Sequence, residues 1–103
     1  MSNRKAYQEK VEAQLKEWNA ELERLRAKAL KADADARIEL GRTVDTLQQH
    51  FRDTQDAFVG LIAAGEDAWT AAQQRVEDAR TTLLDAITEA RSAFRGEVAG
   101  SAR

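Results

Sequence analysis

Cysteine is absent from the 103 residues of this chain, and so is proline. Without cysteine there is neither a disulfide framework nor a thiolate ligand for a metal, which suits a reducing compartment. Without proline no residue forces a helix to stop, since proline alone both lacks the backbone donor and clashes with the preceding turn. Glycines number five and aromatic residues make up 6% of the chain, a poor supply for the turns and strands of a sandwich or barrel. Charge of one sign is missing too: 16 Lys and Arg stand against 18 Asp and Glu, a net of −2. That balance offers no basic surplus for a phosphate backbone, so nucleic acid is not an expected partner. No stretch approaches the roughly 18 apolar residues of a membrane span, and the opening MSNRKAYQEK lacks the apolar segment of a secretory signal. The expected location is the cytoplasm.

What the chain does contain is charge at 33% and an alanine-heavy apolar fraction of 43%, the profile of long helices. The expected fold class is all-α. Trp18, Ala29, Leu40, Phe51 and Ile62 stand eleven residues apart, as do Leu25, Ala36, Leu47, Phe58 and Trp69. Eleven residues make three turns at about 3.67 residues each, close to the relaxed helix, so such a stripe stays on one face of a nearly straight rod. The apolar face runs Tyr7, Val11, Leu15, Trp18, Leu22, Leu25, Ala29, Ala32 and Ala36, then Leu40, Val44, Leu47, Phe51 and Phe58, mostly in steps of four and three. Alanines from Ala27 to Ala36 predict a thin, close-packed segment of the rod.

A single domain over 1–103 is expected, with a first helix over about 4–63, a break near 60–66 and a second helix over about 66–99. Ser2 or Asn3 can cap the first helix. Gly65 is the best terminator, because glycine enters the left-handed conformation of a helix cap without a clash, and Glu66 and Asp67 suit the first turn of a new helix. One continuous helix hinged at Gly65 is the alternative. The second helix carries Trp69, Ala72, Val76, Ala79, Leu83, Ile87, Ala90 and Phe94. Folded back as an antiparallel hairpin or coiled coil, it covers only about 32–58 and leaves Tyr7, Val11, Leu15, Trp18, Leu22 and Leu25 without an intramolecular partner. Each such side chain is worth about 1.5–3 kcal/mol when buried, so this arm predicts self-association. The expected oligomer interface is Tyr7, Val11, Leu15, Trp18, Leu22, Leu25, Ala29, Ala36, Leu40, Leu47, Phe51, Phe58 and Trp69.

Candidate chemistry is sparse. His50 is the only histidine, with no second histidine four residues away to make a metal site. Asp33 and Asp35, Asp53 and Asp56, and Glu66 and Asp67 read as solvated helix faces, because carboxylates two apart on a helix do not converge. No phosphate loop, nucleophile elbow or calcium loop occurs. No catalytic, cofactor or metal residues are therefore expected, and the chain reads as a non-enzyme. The run from Phe58 to Gly65 is the place where a membrane or partner could engage, unless it is buried inside a helical assembly.

The segments Asn3-Arg4-Lys5-Ala6-Tyr7, Gln14-Leu15-Lys16-Glu17-Trp18-Asn19-Ala20-Glu21 and Lys28 with Lys31-Ala32-Asp33-Ala34-Asp35-Ala36-Arg37-Ile38-Glu39 resemble short bacterial coiled-coil proteins of a stress-response family of cyanobacterial type. The likeness returns at Gly65-Glu66-Asp67-Ala68-Trp69 and covers about two thirds of the chain, while the stretch from Gly41 to Ile62 is more apolar than that pattern. The resemblance implies a non-enzymatic helical protein tied to general stress and brings no catalytic or binding residues. Together these readings predict a self-associating structural or interaction protein with an unidentified protein partner. The alternative is an amphipathic protein that coats a membrane, lipid or granule surface, although its polar face lacks the Lys and Arg excess of interfacial helices.

Overall fold

Three helices carry the described residues where two were expected: α1 (Ser2–Lys31), α2 (Ala34–Ala63) and α3 (Glu66–Ser101). The computed structural model describes the backbone of residues 2–101 and the side chains of residues 3–95. The all-α expectation holds. The single helix over 4–63 does not, because the chain turns at Ala32 and Asp33. The molecule is consequently a short rod of 56 × 19 × 17 Å in place of a helix of about 90 Å.

No glycine or proline makes that first turn. The Ala32 amide donates to the Ala29 carbonyl at 3.2 Å, a tightened final turn, and Asp33 then leaves the helix at φ −58°, ψ 158°. The Asp33 carbonyl accepts the Arg37 amide at 2.7 Å and so opens α2, while its side chain makes no capping hydrogen bond. Lys28 and Lys31 lie in the last turn of α1 and Asp35 in the first turn of α2, each at the helix end whose partial charge it complements. The Arg37 guanidinium donates across this turn to the Ala32 carbonyl at 3.3 Å.

The second turn, at Ala64 and Gly65, falls inside the expected window. Its chemistry differs from expectation. Gly65 has no positive φ, and the departure is made by Ala64 at φ −71°, ψ 135°, whose amide donates to the Leu61 carbonyl at 3.1 Å. An extended residue after the last helical one suffices, and any residue adopts that conformation. Glu66 and Asp67 open α3 as expected.

Two such turns make α1 and α2 antiparallel, α2 and α3 antiparallel, and α1 parallel to α3. Two cross-links fix the register of the parallel pair: Tyr7 to Glu77 and Glu21 to Arg91, both seventy residues apart in sequence. The core runs the length of the rod: Val11, Leu15, Leu22, Leu25 and Ala29 from α1, Leu40, Val44, Leu47, Phe51, Phe58 and Leu61 from α2, and Ala72, Val76, Leu83, Ile87, Ala90 and Phe94 from α3. One polar residue joins it. Thr54 is fully buried, and its hydroxyl donates to the His50 carbonyl one turn back at 2.9 Å, with the Ala79 carbonyl at 3.4 Å, so burial leaves no donor unpaired.

Candidate functional site

The groups with chemistry gather along the seam where α1 and α3 run side by side. Tyr7 projects from the first turns of α1 onto Trp69 of α3, edge to face at 6.0 Å and 80°. The Arg4 guanidinium caps the other face of this cluster, 4.4 Å from the Trp69 ring centroid, and donates to the Ala64 carbonyl at the turn. Cation and ring attract here through the ring's quadrupole. The Tyr7 hydroxyl donates to a carboxylate oxygen of Glu77, and that same carboxylate accepts Arg80 at 2.6 Å. Arg80, only 13% exposed, lies 6.0 Å from the centroid of Trp18. The result is a continuous polar and aromatic ladder: Arg4, Trp69, Tyr7, Glu77, Arg80, Trp18.

One turn further, Glu21 accepts Arg91 across the seam at 2.6 Å and Arg24 along its own helix at 2.9 Å. Glu21 and Arg24 form a short pair one turn apart on α1, whereas Glu12 and Lys16 make a long, exposed contact of 3.8 Å. Beside Glu21 an open groove of about 400 Å³ is lined by Arg24, Lys28, Arg91 and Arg95 over a floor of Leu25 and Phe94, with Glu21 already holding two of the four cations. Deeper in, Trp18, Leu22, Leu47, Phe51, Leu83 and Ile87 enclose a gap of only about 10 Å³, so the centre of the bundle is filled.

These contacts shift acidity in opposite directions. Burial, reinforced by the Glu77 carboxylate on its hydroxyl, pushes the Tyr7 phenol up to about 12. For Glu77, burial favours the neutral acid, but the hydrogen bonds from Tyr7 and Arg80 outweigh it and hold the carboxyl below its ordinary value. Glu21 behaves the same way, with burial overcome by Arg24 and Arg91. A raised phenol stabilises the fold fully below its ordinary value of 10.0, and that contribution disappears as pH climbs to about 12. The two lowered carboxyls contribute above the ordinary carboxylate value of 4.5 and lose their contribution as pH falls below it. Tyr7→Phe should therefore cost about 1–2 kcal/mol at neutral pH and remove the Tyr7 share of alkaline instability. Urea unfolding of both proteins at neutral and strongly alkaline pH checks this, and an undiminished difference at high pH would refute it.

All thirteen residues expected at an oligomer interface lie on inward faces of this one chain. Val11, Leu15, Leu22, Leu25, Ala29, Leu40, Leu47, Phe51 and Phe58 are buried, and Tyr7, Trp18, Ala36 and Trp69 are half-buried against them. The unmatched N-terminal arm on which the expectation of a partner rested does not exist, because α1 packs against α2 and is joined to α3 through Tyr7, Trp18 and Glu21. In the run from Phe58 to Gly65, Phe58 and Leu61 are buried while Val59 and Ile62 are exposed, so that segment is neither an apolar tip nor a buried block. Ile62, 53% exposed, is also where the first eleven-residue series leaves the core. His50 is half-buried on α2. Among the described residues no group of three His, Asp or Glu is placed to hold a metal, and no helix is long and apolar enough to cross a membrane.

Arg4, Glu77 and Arg80 escaped the sequence reading. A signal was present for two of them: a tyrosine on an apolar stripe must bring its hydroxyl to a partner, and the Glu77 and Arg80 spacing of three marks a helical pair. Which pair meets Tyr7 depends on the seventy-residue register, which no local pattern contains.

No protein-family model matches the chain, nor does any curated protein or any solved structure. What the geometry defines is an all-helical bundle in which Tyr7 with Glu77 and Glu21 with Arg91 join the parallel pair of helices.

Proposed function

We propose that this protein is a non-enzymatic helical interaction protein that works by associating with copies of itself and, through the resemblance of its N-terminal segments to the bacterial coiled-coil family, serves in a general stress response in the cytoplasm. The observation that carries the reading is that the charged and hydroxyl groups of the α1–α3 ladder are held in internal contacts. Tyr7, Glu77, Arg80, Glu21 and Arg91 each hold a neighbour, and where Glu21 and Arg91 border the open groove they are paired with each other, not free as a nucleophile or base must be. Recognition is then left to the helical surfaces. Leu30, Ile38, Val59, Ile62 and Leu84 are large apolar side chains left exposed, two of them flanking each turn. A coiled-coil mode with eleven-residue spacing belongs to this proposal, in an assembled form of the chain.

Size-exclusion chromatography with light scattering over a tenfold concentration range tests it. A mass that rises with concentration to a discrete oligomer is the expected result, and a constant monomer mass would overturn it.

A surface-coating role is favoured by one feature, that each helix carries a full apolar face and is joined to the next by only two residues, so the bundle can unfurl onto an apolar surface. A coating protein should co-float with liposomes, and self-association through preformed surfaces predicts that it stays in the aqueous fraction.

A further inference from the structure

We infer that the α1–α2 turn is a helix-exchange hinge gated by Asp33, and that the partner it admits is a second copy of this chain. The inference rests on the proposal of self-association and supplies its geometry. The buried face of α1 ends at Ala29, and that of α2 begins with Ala36 and Leu40. Ala29 and Leu40 are eleven residues apart, which is three helical turns to within about 20°. The two faces are therefore in phase. Were residues 32 and 33 helical, α1 and α2 would form one rod with a single uninterrupted apolar side.

Phase continuity of this kind is not required of a turn. A hairpin between two helices places each face inward whatever the rotational offset along the sequence, because the turn itself resets the direction. Here the offset matches the straight helix, and what straightening would displace at the turn is one long, exposed hydrogen bond from the Arg37 guanidinium to the Ala32 carbonyl, whose place the helical amide of Ala36 takes. The turn holds no glycine and no proline, Asp33 has a negative φ, and the Asp33 side chain makes no cap hydrogen bond that straightening would break.

In the straight form two copies pair antiparallel. Each α1 then lies on the α2 and α3 of the other chain and makes the contacts it makes within its own chain in the closed bundle, so the core is conserved and only the hinge changes. The same arrangement at the second turn is disfavoured by Gly65, whose backbone freedom makes it a poor residue inside a helix.

Asp33 is the one polar residue that straightening would bring into the seam. Ala29, Asp33, Ala36 and Leu40 follow one another at steps of four, three and four, the positions of a packed stripe. In the closed bundle Asp33 is exposed at the turn. In the exchanged dimer it would face apolar neighbours near the symmetry axis, close to the Asp33 carboxylate of the other copy, where a charge is costly. The aspartate thus favours the closed bundle by its charge while the surrounding residues, all good helix formers or alanines, permit the open one.

Substitutions at this one position should push the equilibrium in opposite directions. Asp33→Ala removes the charge from the seam and adds helix propensity in both chains, so the dimerisation constant should rise by about tenfold or more. Asp33→Pro fits the observed φ of −58° yet breaks a continuous helix, so the exchanged dimer should vanish while the closed bundle persists. Because Asp33→Pro can fail to fold, a second variant with two glycines inserted between Ala32 and Asp33 tests the same loss, and circular dichroism verifies that each is helical.

The geometry is read directly from spin labels at Ala13→Cys and Gln55→Cys, both exposed and unambiguous in a chain without cysteine. Doubly labelled chains are refolded at high concentration with excess unlabelled chain, and the dimer fraction is isolated. Within one closed chain the labels sit on neighbouring antiparallel helices, but along a straight helix they are about 60 Å apart. A long intrachain distance in the dimer, enriched by Asp33→Ala and lost with the proline and glycine variants, is the expected result. A dimer of equal yield in all variants with the short distance would overturn exchange and leave self-association through closed surfaces standing. Wild type and Asp33→Ala both remaining monomeric at every concentration would overturn both.

Discussion

Replacing Phe51 by alanine is expected to lower the unfolding free energy by about 3–5 kcal/mol, a large part of what a small domain possesses. Phe51 is 5% exposed and sits on α2 where all three helices meet, among Trp18, Leu22, Leu47, Leu83 and Ile87. The gap there is only about 10 Å³, too small for these side chains to be loosely held, so removal of a ring leaves a cavity that long helices cannot close by bending. In the closed bundle the loss appears within one chain. Guanidinium melts at two protein concentrations should shift equally, whereas a ring lodged only between chains would show a loss that depends on concentration. An unchanged midpoint would mean Phe51 is not in the core.

Leu83 and Leu84 provide the second large effect, and its control. They are adjacent on α3, identical in chemistry, and 2% and 42% exposed respectively. Leu83→Asp puts a carboxylate among Leu47, Phe51 and Ile87, with the nearby Arg80 already held by Glu77, and should cost about 4 kcal/mol or more, enough to abolish a cooperative thermal transition at neutral pH. Leu84→Asp points into solvent and should stay within about 0.5 kcal/mol of the parent. Thermal melts by circular dichroism decide the matter. Equal effects at the two sites would show that α3 is rotated from the orientation described here.

Much of this architecture is legible along the chain because helix periodicity is a local property. The face of α3, from Ala72 through Val76, Ala79, Leu83, Ile87 and Ala90 to Phe94, follows from steps of three and four, and all of these residues are buried but Ala79, which is half-buried. The inward positions of α1 and α2 are legible for the same reason. Even the break after Ala63 is signalled, though by way of Gly65 and two acids and not through the extended Ala64 that makes it.

The turn at Ala32 and Asp33 is not legible in that way. Ala29, Ala32, Ala36 and Leu40 satisfy the period of a continuous helix as well as they satisfy two helices in a hairpin, and the local charges at Lys28, Lys31 and Asp35 contribute only fractions of a kcal/mol each. What separates the two outcomes is whether Val11, Leu15, Leu22 and Leu25 are covered by α2 and α3 of the same chain, a gain of several kcal/mol made partly by residues about sixty positions away. The ladder from Arg4 to Trp18 depends on the same choice. Its members become neighbours only once α1 and α3 run parallel.

The sequence by itself determined that the chain is helical and which side of each helix is apolar, since backbone geometry ties both to spacing over a few residues. Tertiary structure alone decided that the chain folds at Ala32 and Asp33, that α1 is covered by its own α2 and α3, and that Tyr7 meets Glu77. Burial is non-directional, so an apolar stripe records that it must be covered without recording by what, and the covering surface is chosen by the arrangement that leaves least of the stripe in water.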